Sequence, residues 1–149
     1  MVWPTSPSGI YGNVGQTNYG AAKAGIAGFT VIAAMELERY GVTVNAIAPA
    51  ALTRLTENLG MGQAPDEMKE QMSPRWIAPI ITWLASEESQ SVTGRVFDVS
   101  GRALSVSEGW HRGPTAEPLD DPEKLGPLVL DLVSQARPNA DMFGNDKTA

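Results

Sequence analysis

The 149-residue sequence predicts an α/β protein, and three observations carry that prediction. A helical segment over 18–39 leads into the apolar run 42–48, whose continuous hydrophobicity is that of a buried parallel strand. Ser73-Pro74 then opens a second helical segment, in which Ile77, Ile80, Ile81 and Leu84 recur at helical spacing to about residue 86. Segment 92–99, which opens with the Thr93-Gly94 turn, reads as a further strand.

In chain order, residues 1–6 read as a strand and 7–16 as a glycine-rich loop. The helix over 18–39 takes Thr17 or Asn18 as its cap and has Gly41 just past its end. It contains Gly20, Ala21, Ala22, Ala24, Gly25, Ala27 and Gly28. Each glycine costs a helix roughly 1 kcal/mol against alanine, so the run points to close approach by another element. Pro49-Ala50 ends the strand 42–48. Segment 52–64, with Leu55, Leu59 and Met61, reads as a lid over an apolar substrate or as packing residues. Residues 102–121 read as largely coil, with Trp110 expected as a packing anchor and His111 as a solvated loop residue. Asp121-Pro122-Glu123 starts a last helix, 122–136, with Leu125, Leu128, Val129, Leu132 and Val133 on one face. Residues 139–149 read as a disordered tail. The resulting boundaries are 1–101, 102–138 and 139–149.

Composition narrows the partners. Seventeen acidic against eleven basic residues give a net charge of −6 and a pI near 4.7, which argues against nucleic acid or an anionic membrane surface. There is no cysteine, hence no disulfide, thiolate chemistry or cysteine-ligated zinc. No metal site is expected. The start has no basic-then-apolar leader pattern, and no apolar stretch approaches the roughly 18 residues of a membrane span, so a cytoplasmic protein is expected.

Candidate chemistry sits at Tyr19-Gly-Ala-Ala-Lys23, with Ser6 thirteen residues before the tyrosine. Residues four apart on a helix share a face. A phenol normally titrates near pH ~10, and an ammonium beside it favours the phenolate. Such a pair can exchange a proton with an alcohol or ketone. A serine hydroxyl can hold the same substrate oxygen from another side.

The context Ser6-Pro-Ser-Gly-Ile-Tyr-Gly-Asn-Val-Gly-Gln-Thr-Asn-Tyr19-Gly-Ala-Ala-Lys23, followed by Val42-Thr-Val-Asn-Ala-Ile-Ala-Pro49, resembles the short-chain dehydrogenase/reductase family. That pattern is a serine, twelve residues, Tyr-x-x-x-Lys, a long helix, and a strand ending Asn-x-Ile-x-Pro. The likeness runs from Ser6 to about Gly101. It looks closest to the subgroup that includes the dehydrogenase part of peroxisomal multifunctional enzymes, which oxidise 3-hydroxyacyl-CoA or steroid-like alcohols. Pro49-Ala50 stands where the family usually has Pro-Gly, and Gly101 alone remains of its usual Gly-Gly.

The resemblance implies a partial Rossmann fold: its C-terminal half, about three parallel strands with helices, plus a C-terminal helical extension. It implies NAD or NADP as cofactor and hydride transfer to or from a secondary alcohol or ketone. Ser6, Tyr19 and Lys23 would be the catalytic set. Tyr19, Lys23, Ile47, Pro49 and Thr53 would contact the cofactor, with Thr56 the alternative to Thr53. A small-molecule alcohol, ketone or acyl-CoA is the implied substrate, and the helix 18–39 the implied surface of a homo-oligomer. The family's Gly-x-x-x-Gly-x-Gly turn does not occur in these 149 residues, and Gly9, Gly12 and Gly15 do not replace it. The expectation is therefore the C-terminal half of such an enzyme, or a non-catalytic chain that keeps the oligomerisation surface.

Overall fold

The computed structural model describes residues 1–51 and 65–147. Four strands, β1 (Val2–Pro4), β2 (Asn45–Pro49), β3 (Val96–Val99) and β4 (Leu104–Ser107), form one sheet in the order β1-β2-β3-β4. The first three are parallel, in the register Val2↔Asn45 and Ala46↔Val96. β4 runs antiparallel to β3, pairing Val99 with Leu104 and Val96 with Ser107. The expectation of three parallel strands holds, and the expected coil after 102 is corrected. Ser100 and its neighbours turn the chain back at once: the Ser100 hydroxyl accepts from the amides of Arg102 and Ala103, and its own amide donates to the Ala103 carbonyl. The sheet thus continues past the expected boundary at 101.

β2 is central and reads Asn-Ala-Ile-Ala-Pro because it is covered on both sides. Asn45, Ala46, Ile47 and Ala48 are all buried. On one side α2 (Thr17–Leu37) packs Ala33 and Ala34 against Val44, with Leu37 and Val42 beside them. On the other, Ile47, Leu84 and Val99 form a cluster with Val2, Ile77, Ile80, Val92 and Phe97 around it. Full burial of each such aliphatic side chain stabilises by roughly 1.5–3 kcal/mol.

α2 begins one residue earlier than expected. Gln16 is the cap position, its carbonyl accepting from Gly20 at 2.7 Å, so Thr17 is already helical and makes no capping bond. The helix tightens into a 3₁₀ turn at Glu38–Tyr40 and ends at Gly41, whose φ of 69° is the left-handed conformation that glycine adopts without penalty. By length and mean hydropathy, 1.3, Thr17–Tyr40 would suffice to cross a membrane, which corrects the expectation that no apolar stretch approaches spanning length. Here it is the helix that covers the sheet, with Thr30, Ala33 and Ala34 buried.

The second helical segment is shorter than its apolar spacing predicts. Ser73 precedes a 3₁₀ turn, Pro74–Trp76, without a side-chain cap, and the α-helix is Ala78–Leu84 (α4), preceded by α3 (Asp66–Gln71). Ile77, Ile80 and Leu84 pack on the core as expected, whereas Ile81 is partly exposed. Gly101 lies where α3 returns to the sheet. Its amide donates to the Gln71 carbonyl at 2.7 Å, and a Cβ there would fall 2.4 Å from that oxygen and 2.5 Å from Trp76 Nε1.

Past β4, Trp110 is 97% exposed, so it anchors no packing among the described residues. α5 (Pro122–Gln135) is capped by Asp121, whose carboxylate accepts from the Glu123 amide. Leu125, Leu128 and Leu132 are half-buried while Val129 and Val133 stay exposed. Residues 139–147 form a turn where a disordered tail was expected. Asp141 accepts from the amides of Phe143 and Asn145, and Ala140 bridges Asp146. Those bonds, the Asn145 amide first, hold the Asp141 carboxyl below its ordinary value.

Candidate active site

Parallel strands end on the same edge of a sheet, so their trailing residues gather there. β1 ends at Pro4 and β2 at Pro49; Pro4 is level with Ile47, and Pro49 with Val99. Thr5 extends the pairing, its amide donating to the Ile47 carbonyl at 2.8 Å. Ser6 therefore stands at the carboxyl edge, next to the strand that carries Ile47 and Pro49.

Ser6 is 8% exposed and extended, at φ −159° and ψ 149°, as a residue before proline prefers. It caps α1 (Pro7–Ile10), its Oγ accepting from the Ser8 amide at 3.2 Å. The segment 7–16 is thus a helical turn followed by a loop, where a loop alone was expected. Capping uses a lone pair of Ser6 Oγ; among the described residues no bond takes its hydrogen.

α1 lies across the start of α2, and two glycines allow it. A Cβ on Gly9 would come within 2.6 Å of the Ala24 amide and Lys23 Cβ, and one on Gly20 would meet the Ser8 carbonyl at 3.0 Å. The small residues of α2 thus serve the contact that brings Ser6 and Lys23 to one place. Gly25 and Gly28 have open space instead. Ser8 Oγ donates to Gln16 Oε1 at 2.7 Å, tying α1 to the residue that opens α2.

Tyr19 and Lys23 stand on the first turns of α2. The ammonium lies 5.7 Å from the centre of the Tyr19 ring and donates to the Pro4 carbonyl at 2.9 Å. Thr5, 3% exposed, donates its hydroxyl to the Lys23 carbonyl at 2.6 Å. The lysine is therefore bound to the end of β1 by both its backbone and its side chain. Tyr19 is 45% exposed. Ser6, Tyr19, Lys23, Ile47 and Pro49 thus occupy one region, at the carboxyl edge and the adjoining end of α2. Thr53, Thr56 and the expected lid 52–64 lie outside the described residues.

Residues 1–101 match a family model described as enoyl-(acyl carrier protein) reductase. The chain belongs to the short-chain dehydrogenase/reductase family. It is 43% identical to the hydroxyacyl-CoA dehydrogenase ChsB1 of Mycobacterium tuberculosis, over 98% of its own length and 48% of that protein. A short-chain dehydrogenase of Mycobacterium avium superposes with a TM-score of 0.78 at 43% identity, covering 93% of this chain and 44% of that one. The full-length peroxisomal multifunctional enzyme type 2 of Drosophila melanogaster gives 0.68 at 30% identity, covering 99% and 25%. The chain spans less than half of each of these proteins.

Two residues of this short-chain dehydrogenase/reductase, Thr5 and Tyr11, had no role in the sequence, and the work of a third, Asn45, was not legible there. Thr5 had no signal beyond its place beside Ser6. Asn45 was visible within Asn-x-Ile-x-Pro, and the structure supplies its work: fully buried, it donates to the Val92 carbonyl at 2.8 Å and accepts from the Arg95 amide at 3.1 Å. It thereby brackets the turn that leads into β3. Tyr11 gave no signal either. Its hydroxyl donates to Asp98 Oδ2 at 2.5 Å and lies 3.0 Å from Ser107 Oγ, which donates to the same oxygen at 2.8 Å. Burial, and then the Asp98 carboxylate, push the Tyr11 phenol above its ordinary value, while the Ser107 hydrogen bond pulls the other way.

Proposed function

We propose that this chain carries the proton-transfer side of an NAD(P)-dependent oxidoreductase that moves a hydride between the cofactor and a secondary alcohol or ketone. The observation that supports this best is the gathering of Ser6, Tyr19, Lys23 and the end of β2 at the carboxyl edge of a parallel sheet. Ligands of open α/β sheets bind at that edge.

The residues present suit one end of a nicotinamide dinucleotide. A half-exposed phenol, an ammonium and the strand end Ile47–Pro49 are suited to the ribose and nicotinamide, with Thr53 following. No glycine-rich pyrophosphate turn occurs among the 149 residues, so that end of the molecule would be held by other residues. When bound, the nicotinamide supplies or accepts the hydride. Tyr19 gives a proton to the substrate oxygen or takes one from it. Lys23 stabilises the phenolate that results, and Ser6 donates its unused hydrogen to the substrate oxygen to orient it. Similarity to a hydroxyacyl-CoA dehydrogenase favours a 3-hydroxyacyl-CoA as substrate; the family resemblance leaves a steroid-like alcohol as the other choice. A cytoplasmic location accords with this reading.

A second reading has its own observation. The outer face of α2 exposes Phe29 at 50%, Ile32 at 57% and Met35 at 73%, beside the open space at Gly25 and Gly28. A chain that used this face to join copies of itself or intact relatives would need no catalysis of its own.

One experiment separates the two. The chain is fused to the N-terminal half of the Mycobacterium tuberculosis relative, and reduction of NAD by a 3-hydroxyacyl-CoA is followed by absorbance. The fusion is expected to turn over, and Tyr19→Phe to lower kcat by ~10²–10⁴-fold, the usual contribution of a general acid–base group. A phenylalanine variant within a few-fold of its parent would remove Tyr19 from the chemistry. A folded, inactive fusion would favour the second reading.

A further inference from the structure

The segment between Ser6 and Tyr19 has to hold both residues in place, yet it consists largely of glycine and short polar residues. Its one large aromatic side chain, Tyr11, reaches across to the last two strands of the sheet, β3 and β4. There its hydroxyl, Asp98 of β3 and Ser107 of β4 make three short contacts with two hydroxyl hydrogens among them. Asp98 Oδ2 accepts both hydrogens when each hydroxyl donates to it, and Oδ1 is buried without a partner among the described residues. The ring is covered by the C-terminal turn: a Cβ on Gly144 would lie 3.1 Å from the phenol oxygen and its carbon. That turn is held in its own right by Asp141 and by Arg137, which donates to Asp146 at 2.7 Å.

We propose that Tyr11 is a positioning residue for the Ser6–Tyr19–Lys23 group, and that β4 and the turn 139–147 are its seat. The C-terminal extension then acts on the site without touching it. Its strand supplies Ser107, its turn supplies the cover over the ring, and the phenol carries both to the segment linking α1 to α2. Ser8 and Gln16 close that segment from the other side. The proposal rests on the reading of Ser6, Tyr19 and Lys23 given above, but its test does not require turnover.

Backbone amide exchange is measured on the full 149-residue chain, wild type against Tyr11→Phe, Ser107→Ala, Asp98→Asn and Asp98→Ala. Tyr11→Phe should speed exchange in residues 9–20 and 141–146 together by about fivefold, the factor that one net hydrogen bond carries. Amides of residues 45–48 in β2 should keep their rates. Ser107→Ala, which leaves the Tyr11–Asp98 bond, should give a smaller change in the same two segments. Asp98→Asn, which keeps an acceptor, should stay closer to wild type than Asp98→Ala. A rise shared by every segment including β2 would make Tyr11 a general stability residue and overturn the proposal. So would a change in one segment alone, or none. Should Tyr11→Phe not fold, the Ser107→Ala and Asp98→Asn patterns decide by the same criteria. In the active fusion, Tyr11→Phe should lower kcat while leaving the KM for NAD within a few-fold. An inactive fusion with coupled exchange would defeat the functional reading and leave the tie intact.

Discussion

Residue-scale chemistry in this chain depends on polar side chains that sit inside and are satisfied. Asn45 is the clearest case. At 0% exposure, both ends of its amide are spent on the backbone around Val92 and Arg95. Asn45→Ala removes both bonds and leaves a buried carbonyl and a buried amide unpaired, each at about 1–3 kcal/mol. Denaturant titration should show a loss of about 2–6 kcal/mol by that arithmetic; a loss under about 0.5 kcal/mol would mean that water replaces the amide at no cost. Tyr11 makes a different prediction, in pH. Its folded pKa lies above the ordinary 10.0, so the neutral phenol is the form that the fold favours. Its contribution is fully present below pH 10.0 and is lost as pH rises through the folded value, when a phenolate would face the Asp98 carboxylate. The melting temperature of wild type should therefore exceed that of Tyr11→Phe at neutral pH, and the gap should close above pH 10.0. A gap that stays constant across that range would contradict the phenol's role.

Among elements, the decisive contact is α1 on α2. It is the local device that places Ser6 near Lys23, and it works because Gly9 has no side chain. Gly9→Ala would put a methyl 2.6 Å from the Ala24 amide and from Lys23 Cβ, and neither is the far end of a flexible chain. The helices must part, as in other overpacked sites, at a cost of typically 1–3 kcal/mol. Since α1 carries Ser6, the same substitution should lower kcat in the active fusion beyond what the stability loss explains at permissive temperature. A stable variant with parental kcat would show that the α1–α2 spacing does not set the site. Gly12→Ala is a useful contrast. Its φ of 88° disfavours a side chain, but a Cβ there meets nothing within 4 Å.

For the whole molecule, the balance between covered and uncovered surface matters most. β1 is an edge strand, with Trp3 38% exposed and stacked edge-to-face on Phe29 at 5.5 Å. The outer face of α2 adds Ile32 and Met35, and α5 adds Leu130 at 71% and Val133 at 65%. Strand edges and large apolar patches both recruit other chains. The isolated chain should therefore self-associate, with a sedimentation coefficient that rises across the micromolar range. A single monomeric species at high micromolar concentration, with a cooperative melt, would show that these surfaces are tolerated in water. α5 does not provide the cover that such a monomer needs, because Val129 and Val133 of its apolar face are themselves exposed.

Local order determined what could be read directly. The Tyr19–Lys23 pair, the strand ending Asn-x-Ile-x-Pro, the glycine stop at Gly41 and the Asp121 cap are each decided within a few residues, by helical spacing, burial pattern and backbone preference. The α/β class and the family followed from them. Contacts between distant parts of the chain were not legible, because nothing in a residue's neighbours tells which remote backbone it will meet. Tyr11 and Asp98 are 87 positions apart, Asn45 and Arg95 are 50, and Thr5 and Lys23 are 18. The fourth strand escaped for a related reason: Leu104-Ser-Val-Ser107 alternates apolar and polar over only four largely exposed residues, too short a pattern to stand alone, and it is the open edge of β3 that makes it a strand. Trp110 shows the converse. Its size suggested an anchor, but anchoring needs a partner surface, and tertiary structure alone decides whether one is there.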